Sequence, residues 1–513
     1  MPRNFILVAT IALTSSALCQ TWEREDIGFN DIQSRARDLA NKPYVPPNKD
    51  SLPAWMNNLS YDQYRDIRFN TNQALWAADN LPFRAMFFHP GYLYREPVIL
   101  NEFTKSHQQQ IRLAEAYFNY GPLIKDHGEL PPDGGFAGFR LHAPLNEPDV
   151  FDELIAFQGA SYWRALGKNQ RYGISARGIA VDTGIDGATE DFPAFREFWL
   201  RKPEAGDTQA RIYALLDGPS YTGAYAFKVS PGNETIVEVT AVLFARRAVK
   251  RLGIAPMSSM FWFGENSRRC FDDFRPEVHD SDGLAIRMGT GERIWRPLGN
   301  PPVVTTNSFL DDNPRGFGLM QRDRDFENYQ DDGVFYDRRA SVWVEPAGNW
   351  GAGSVQLVEI PTNDEIHDNI VAFWVPREPV KAGQAFDFSY RLHWLSDEPY
   401  PAPIARVVAT RIGMGGVPGQ PRPKGVRKFA IDLEGPTLEG LDRTSGVEVV
   451  ADTSRGRLSG EVAYPVVGTE RWRVLFDLEA TGHEPVNLRM FIRRSDAALS
   501  ETWIYQFMPN AVA

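Results

Sequence analysis

Residues 225–243, YAFKVSPGNETIVEVTAVL, decide the fold class. Tyr225, Phe227 and Val229 alternate with smaller or polar side chains. Beyond Pro231-Gly232-Asn233 the alternation resumes through Val237, Val239, Ala241 and Leu243. A period of two places alternate side chains on one face of an extended strand, and a Pro-Gly-Asn cluster reverses the chain. The stretch therefore predicts a β-hairpin with one buried face. Similar runs recur from about Arg84 to Trp394, separated by Gly, Pro, Asn and Asp clusters. Short strands at that spacing indicate a mainly β chain, a sandwich or barrel, and not βαβ units.

Few helices are expected. Phe29, Ile32, Ala36 and Leu39 follow helical spacing until Pro43, Pro46 and Pro47. Ser60-Tyr61-Asp62-Gln63 has the form of a capping box, opening a short helix through Tyr64 and Ile67. Both should pack outside a larger body. A third helix is expected around Phe195, Phe198 and Trp199, with Asp191 as its N-cap.

At 513 residues the chain exceeds the size at which one core keeps growing, so two domains are expected. The first would be a large β-sandwich over 20–395. A proline-rich linker, SDEPYPAP, covers 396–403. The remainder, 404–513, shows six or seven strand runs, among them Phe429/Ile431/Leu433, Trp472/Val474/Phe476/Leu478 and Trp503/Tyr505/Phe507. That pattern suggests a small immunoglobulin-like sandwich, although the cysteine pair of antibody domains is missing.

Residues 1–19 read as an export signal: MPRN supplies positive charge, Phe5 to Leu18 an apolar run, and Ala17-Leu18-Cys19 a cleavage site. Leu18 weakens a lipoprotein reading through Cys19, and no twin-arginine pair is present. No later apolar run reaches membrane length. After cleavage only Cys270 would remain, which rules out an intramolecular disulfide and a thiolate metal site. The net charge of −11 argues against nucleic acid, whose phosphates require clustered Lys and Arg.

Most chemical motifs fail. Gly173-Ile174-Ser175-Ala176-Arg177 lacks the closing glycine of a nucleophile elbow, and Gly167-Lys168-Asn169 lacks P-loop spacing. The eight histidines show no metal-ligand spacing, so neither metal nor cofactor is expected. Aromatics interleaved with polar residues are more telling: Tyr162, Trp163, Tyr172, Trp262, Trp295, Trp343, Trp350 and Trp374. Such rings suit the apolar faces of sugars, though any one of them more often fills a core.

Two acidic turns complete the picture. FRPEVHDSDG holds Glu277, His279, Asp280 and Asp282, and TNDEIHDN holds Asp364, Glu365, His367 and Asp368. Glycosidic cleavage needs one protonated carboxyl at the leaving oxygen and one carboxylate acting on water. Asp368, at the edge of a buried strand run, is expected to be desolvated and protonated, as suits a general acid. Asp280, in a polar turn, is expected to stay ionised and act as base.

Several long blocks carry a resemblance. FQGASYWRALGKNQRYGISARGIAVDTG, YALLDGPSYTGAYAF, FRPEVHDSDGL, GFGLMQRDRDFENYQ and LVEIPTNDEIHDNIVAFW resemble the periplasmic glucans biosynthesis proteins of the G and D types, from about Phe29 to Phe507. The resemblance implies a mutarotase-like, sugar-binding β-sandwich followed by a small immunoglobulin-like domain. It also implies inverting action on β-1,2-glucan in the periplasm, by hydrolysis or transglycosylation, with Asp368 as acid and Asp280 as base. Their carboxyls would stand roughly 6.5–9.5 Å apart or be joined by a longer relay. Tyr336 in FYDRR would position a sugar, and Glu365, His279, Trp343 and Trp350 complete the expected substrate set. The lack of a twin-arginine pair favours the G type. Expected partners are the β-glucan itself and the inner-membrane glucan synthase; a homodimer is left open. The rival reading is a non-catalytic glucan-binding scaffold that assists synthesis and export.

Overall fold

The computed structural model describes residues 27–48, 51–105, 107–124, 127–131, 134–267 and 272–509. The export-signal reading, with Cys19, and Cys270 lie outside these residues. The chain is mainly β. The hairpin at its centre forms as its alternation predicts: Tyr221–Ser230 pairs antiparallel with Thr235–Ala245, Phe227 opposite Val239 and Val229 opposite Val237. Tyr225, Phe227, Val229, Val237, Val239, Ala241 and Leu243 are all buried on one face.

That hairpin lies within a fifteen-stranded sheet, which packs across the main core from a ten-stranded one. Rings from the two sheets meet edge to face: Phe227 stands 5.1 Å from Phe157 and 5.2 Å from Trp163, centroid to centroid. Stacked sheets of this kind bury alternate residues of every strand between them, which is the architecture of a sandwich. The helix Ile27–Ala40 covers the outer face of the larger sheet, with Ile32 and Ala36 against Trp199, Tyr213, Leu215 and Phe244. The Ser60 capping box is present, Ser60 Oγ accepting from Gln63 N and Gln63 Oε1 from Ser60 N.

The helix expected around Phe195 is instead the strand Ala194–Arg201, paired with Ala210–Asp217 and, in parallel, with Ile99–Phe103. A bulge between Phe195 and Glu197 shifts the alternation by one residue. Phe195 and Phe198 therefore both enter the main core while Trp199 faces the outer helix. A one-residue bulge in a strand thus mimics the i, i+3 spacing of a helix. Asp191 caps no helix; its Oδ2 accepts from Ser220 N at 3.0 Å.

Past Pro403, four strands form a sheet in the order Arg406–Met414, Val426–Glu434, Trp472–Glu479 and Arg457–Pro465. Val447–Thr453, Val486–Arg494 and Thr502–Phe507 face it across a second core of Phe429, Val474, Phe476, Met490 and Trp503. These three strands also extend the fifteen-stranded sheet, because Thr502–Phe507 runs parallel to Arg293–Pro297, with Trp295 opposite Trp503. The 396–403 segment is pinned at the join: Glu398 pairs with both Arg322 and Arg293.

Candidate active site

The two acidic turns meet because one short stretch, Met260–Phe261, holds both. Asp280 N donates to Met260 O at 2.9 Å, just beyond the pairing of Phe261–Phe263 with Val278–His279. Asn369 Oδ1 accepts from Phe261 N at 2.8 Å, while its Nδ2 donates to Phe261 O and Ile360 O at 3.0 Å each. Asn369 thereby fixes the start of the strand Ile370–Pro376 and sets Asp368 beside the Asp280 turn. Burial of an amide is favourable when its polar atoms are satisfied, and here three backbone groups satisfy it.

One arginine stands against each aspartate. Arg164 projects from the strand Tyr162–Ala165 and lies 3.6 Å from Asp368 Oδ2, with its Nε donating to Ser175 Oγ at 2.6 Å. Arg339 Nη1 lies 3.4 Å from Asp280 Oδ1 and donates to Tyr172 O. Asp280 Oδ1 is buried and accepts no hydrogen bond from any protein group. Gly173 backs onto both partners: a Cβ there would come within 3.1 Å of Arg339 Cβ and 3.3 Å of Asp280 Cγ. The bare backbone at Gly173 is what lets the two side chains approach this segment.

The expected burial of the two aspartates is reversed. Asp280 is only 6% exposed, whereas the Asp368 side chain is 37% exposed. Asn369, one residue on, occupies the buried strand edge that the pattern assigned to Asp368. Burial pushes the Asp280 carboxyl up; the charge of Asp368 adds to this, and Arg339, Arg164 and His279 oppose it. Asp280 is thus a stronger proton acceptor than a solvated aspartate, but the free protein does not itself desolvate Asp368.

Tyr336 is almost fully buried, its hydroxyl donating to Glu365 Oε2 at 2.5 Å and its ring lying 4.9 Å from the Arg339 guanidinium. Glu365 is held in turn by Arg275, which also binds Asp273 and Asp331 at 2.9 and 3.0 Å. One arginine therefore ties three loops together beside Asp368. A fork of donors in fixed geometry suits this task better than a lysine's single ammonium.

Three other expected substrate contacts lie elsewhere. His279 is buried behind Asp280, Nδ1 on Gln321 Oε1 at 3.0 Å and Nε2 on Glu277 Oε2 at 2.9 Å, leaving no nitrogen for a sugar. Trp343 is buried in the second core, its ring packed over Gly316 and Gly318. Trp350 packs against Trp374 and edge-on to Tyr390, and Trp374 sits about 20 Å along its strand from Asp368. Pattern reading missed Arg164, Arg339 and Arg275. The signal for Arg164 was present, since Tyr162 and Arg164 alternate with the apolar Trp163 and Ala165 and so share the open face.

Behind His279 a small cavity of about 40 Å³ separates this region from the strand Arg406–Met414, lined by Glu265, Glu277, Asp282 and Arg322 among others. Burial pushes the Glu265 carboxyl up to about 8, with Glu277 adding and Arg411 and the Thr410 N–H opposing. For His279 burial acts downward, but the hydrogen bond to Glu277 and the charges of Asp282 and Glu277 outweigh it and raise the ring to about 9. The folded state thus retains two protons that the unfolded chain releases at lower pH. Stability should therefore fall as pH rises from about 4.5 to 8 through Glu265 and from about 6.5 to 9 through His279, by about 1.4 kcal/mol per pH unit for each retained proton. Urea midpoints measured across that range test this. A flat or rising profile would contradict it, and Glu265→Gln should remove this fall below about pH 6.5 and roughly halve it between 6.5 and 8.

Comparison with known proteins adds the context of the whole chain. A family model described as periplasmic glucan biosynthesis protein, MdoG, matches residues 27–507. Glucans biosynthesis protein D 2 of Ralstonia nicotianae is 48% identical over 528 residues, covering 99% of this chain and 97% of that protein. Glucans biosynthesis protein G of the same organism is 46% identical over 488 residues, covering 94% and 96%. A probable glucans biosynthesis protein D of Shewanella oneidensis is 44% identical over 515 residues, covering 99% and 94%. Identities of 48% and 46% to D and G types do not separate the two, so the G-type expectation gains nothing from them.

Proposed function

The chain belongs to the periplasmic glucan biosynthesis protein family MdoG and has a role in periplasmic glucan biosynthesis; within that role we propose that it cleaves β-1,2-linked glucan with inversion. The supporting observation is the meeting of the Asp280 and Asp368 turns on Met260–Phe261, with Asp280 Oδ1 buried, paired with Arg339 at 3.4 Å and accepting no protein hydrogen bond. No helix among the described residues is long and apolar enough to cross a membrane, and we place the protein in the periplasm, where its glucan would be.

In this reading a glucan strand lies over Asp368 and removes its water, favouring the protonated carboxyl. Asp368 gives its proton to the glycosidic oxygen as the C1–O bond breaks. Water adds to C1 from the opposite face, and its proton passes to Asp280, directly or through a sugar hydroxyl. Arg339 and Arg164 favour the ionised form of Asp280 against the effect of its burial. Tyr336, held by Glu365, and the Arg275 tie fix the loop that carries Asp368. An acceptor whose nearest protein cation, Arg339, stands at ion-pair and not hydrogen-bond distance suits a site where the donor arrives with the substrate.

The test is incubation of purified protein with linear β-1,2-glucan. Shorter chains whose first-formed reducing end is the α-anomer are expected by NMR. Polymer that is bound but left uncut would instead identify a scaffold protein. Retention of the β-anomer would end the acid–base assignment, and longer or cyclic products would make a sugar hydroxyl, not water, the acceptor.

A further inference from the structure

A pocket of about 370 Å³ is lined by strands of both sheets, in the size range of small-ligand sites. Its lining joins the fully buried rings of Phe157, Phe195 and Phe198 to the half-buried Tyr94, Gln158 and Tyr162. The Glu96–Arg196 ion pair, 2.6 Å long, forms one polar wall.

The pocket and the candidate active site share the strand Tyr162–Ala165, Tyr162 lining the one and Arg164 reaching the other. Tyr162 and Arg164 stand two residues apart on the same face of one strand, about 7 Å along it, and Arg164 is the residue that reaches Asp368. The charge of Arg164 is also felt at the Tyr94 phenol in the pocket's lining.

Phe192 is the most informative residue. It is 49% exposed, yet it is not loosely held. Its ring lies 5.1 Å from the guanidinium of Arg177, which is itself buried. Arg177 is fixed by Glu190 at 2.7 Å, Thr183 at 3.2 Å and Tyr162 at 3.1 Å, and stacks at 5.5 Å on the Tyr162 ring. A buried arginine thus orients two aromatic rings in the lining of an amphipathic cavity. Preorganised rings beside polar edges fit a pyranose, which offers apolar faces rimmed by hydroxyls.

We propose that this pocket is a distal carbohydrate subsite, taking hexose units of the same glucan that passes Asp368 and stacking them on Phe192 and Tyr162. The inference rests on the glucan-cleaving reading above. It makes affinity depend on chain length: only a glucan long enough to span from Asp368 to Phe192 gains the extra contacts.

Asp368→Asn protein allows binding to be measured by calorimetry without turnover, using β-1,2-linked oligosaccharides of graded length. Affinity should rise with length in this parent. In Asp368→Asn/Phe192→Ala the rise should shrink by about 2- to 10-fold at the longest lengths, as expected for one lost stacking contact. Phe192 is a surface ring, so near-UV circular dichroism and an unchanged melting temperature would confirm folding. If the length dependence survives Phe192→Ala, or short and long chains weaken equally, the subsite is refuted while the active-site reading stands. If the parent binds no β-1,2-glucan of any length, both fall together.

Discussion

Asp368→Asn is expected to lower kcat on linear β-1,2-glucan by about 10²- to 10⁴-fold, the range for loss of a positioned general acid. Asparagine keeps the size and can hydrogen-bond the leaving oxygen, but it has no proton to give. Glucan affinity should survive, because the change removes charge and not contact area. Folding should survive too: the side chain is exposed and its ion pair with Arg164, at 3.6 Å, is of the kind worth about 0–1 kcal/mol. Measuring reducing-end release and dissociation constants on the same preparation separates these effects. A fall in kcat of less than about tenfold would remove Asp368 as the proton donor.

The largest stability effect is expected at Arg322. Its side chain is buried where the fifteen-stranded sheet meets the C-terminal strands. It pairs with Glu398 of the proline-rich segment and with Glu501, donates to Val407 O at 2.8 Å, and lies 3.6 Å from the Trp295 ring. Arg322→Met keeps the apolar stem but strands two buried carboxylates. Removing one partner of a buried ionic cluster costs about 3–5 kcal/mol. Arg293 on Glu398 and Val407 N on Glu501 compensate in part, which places the expected loss near the lower figure. Chemical denaturation would show a lowered midpoint. A loss under about 1 kcal/mol would mean that hydrophobic packing of the second core, and not this cluster, holds the join.

Much of the fold was legible because periodicity is a local property. The hairpin of 225–243, the buried face of Ile27–Ala40 and the Ser60 cap each depend on residues a few positions apart. The strand at Ala194–Arg201 was misread for the same reason. Its bulge is defined by the partner strand, and nothing in the local spacing of Phe195 and Phe198 reports a partner.

For the site, the sequence by itself determined which residue types were on hand: two acidic turns, Tyr336, and the alternation that sets Tyr162 and Arg164 on one face. Only the tertiary structure decided their roles. That Asp280 is buried and Asp368 exposed depends on Asn369 reaching Phe261, 108 positions away. That His279 and Trp343 are enclosed depends on Gln321, Gly316 and Gly318 from distant strands. Burial, and with it the balance between desolvation and charge, is set by what packs over a residue, and in a sandwich those neighbours come from far along the chain.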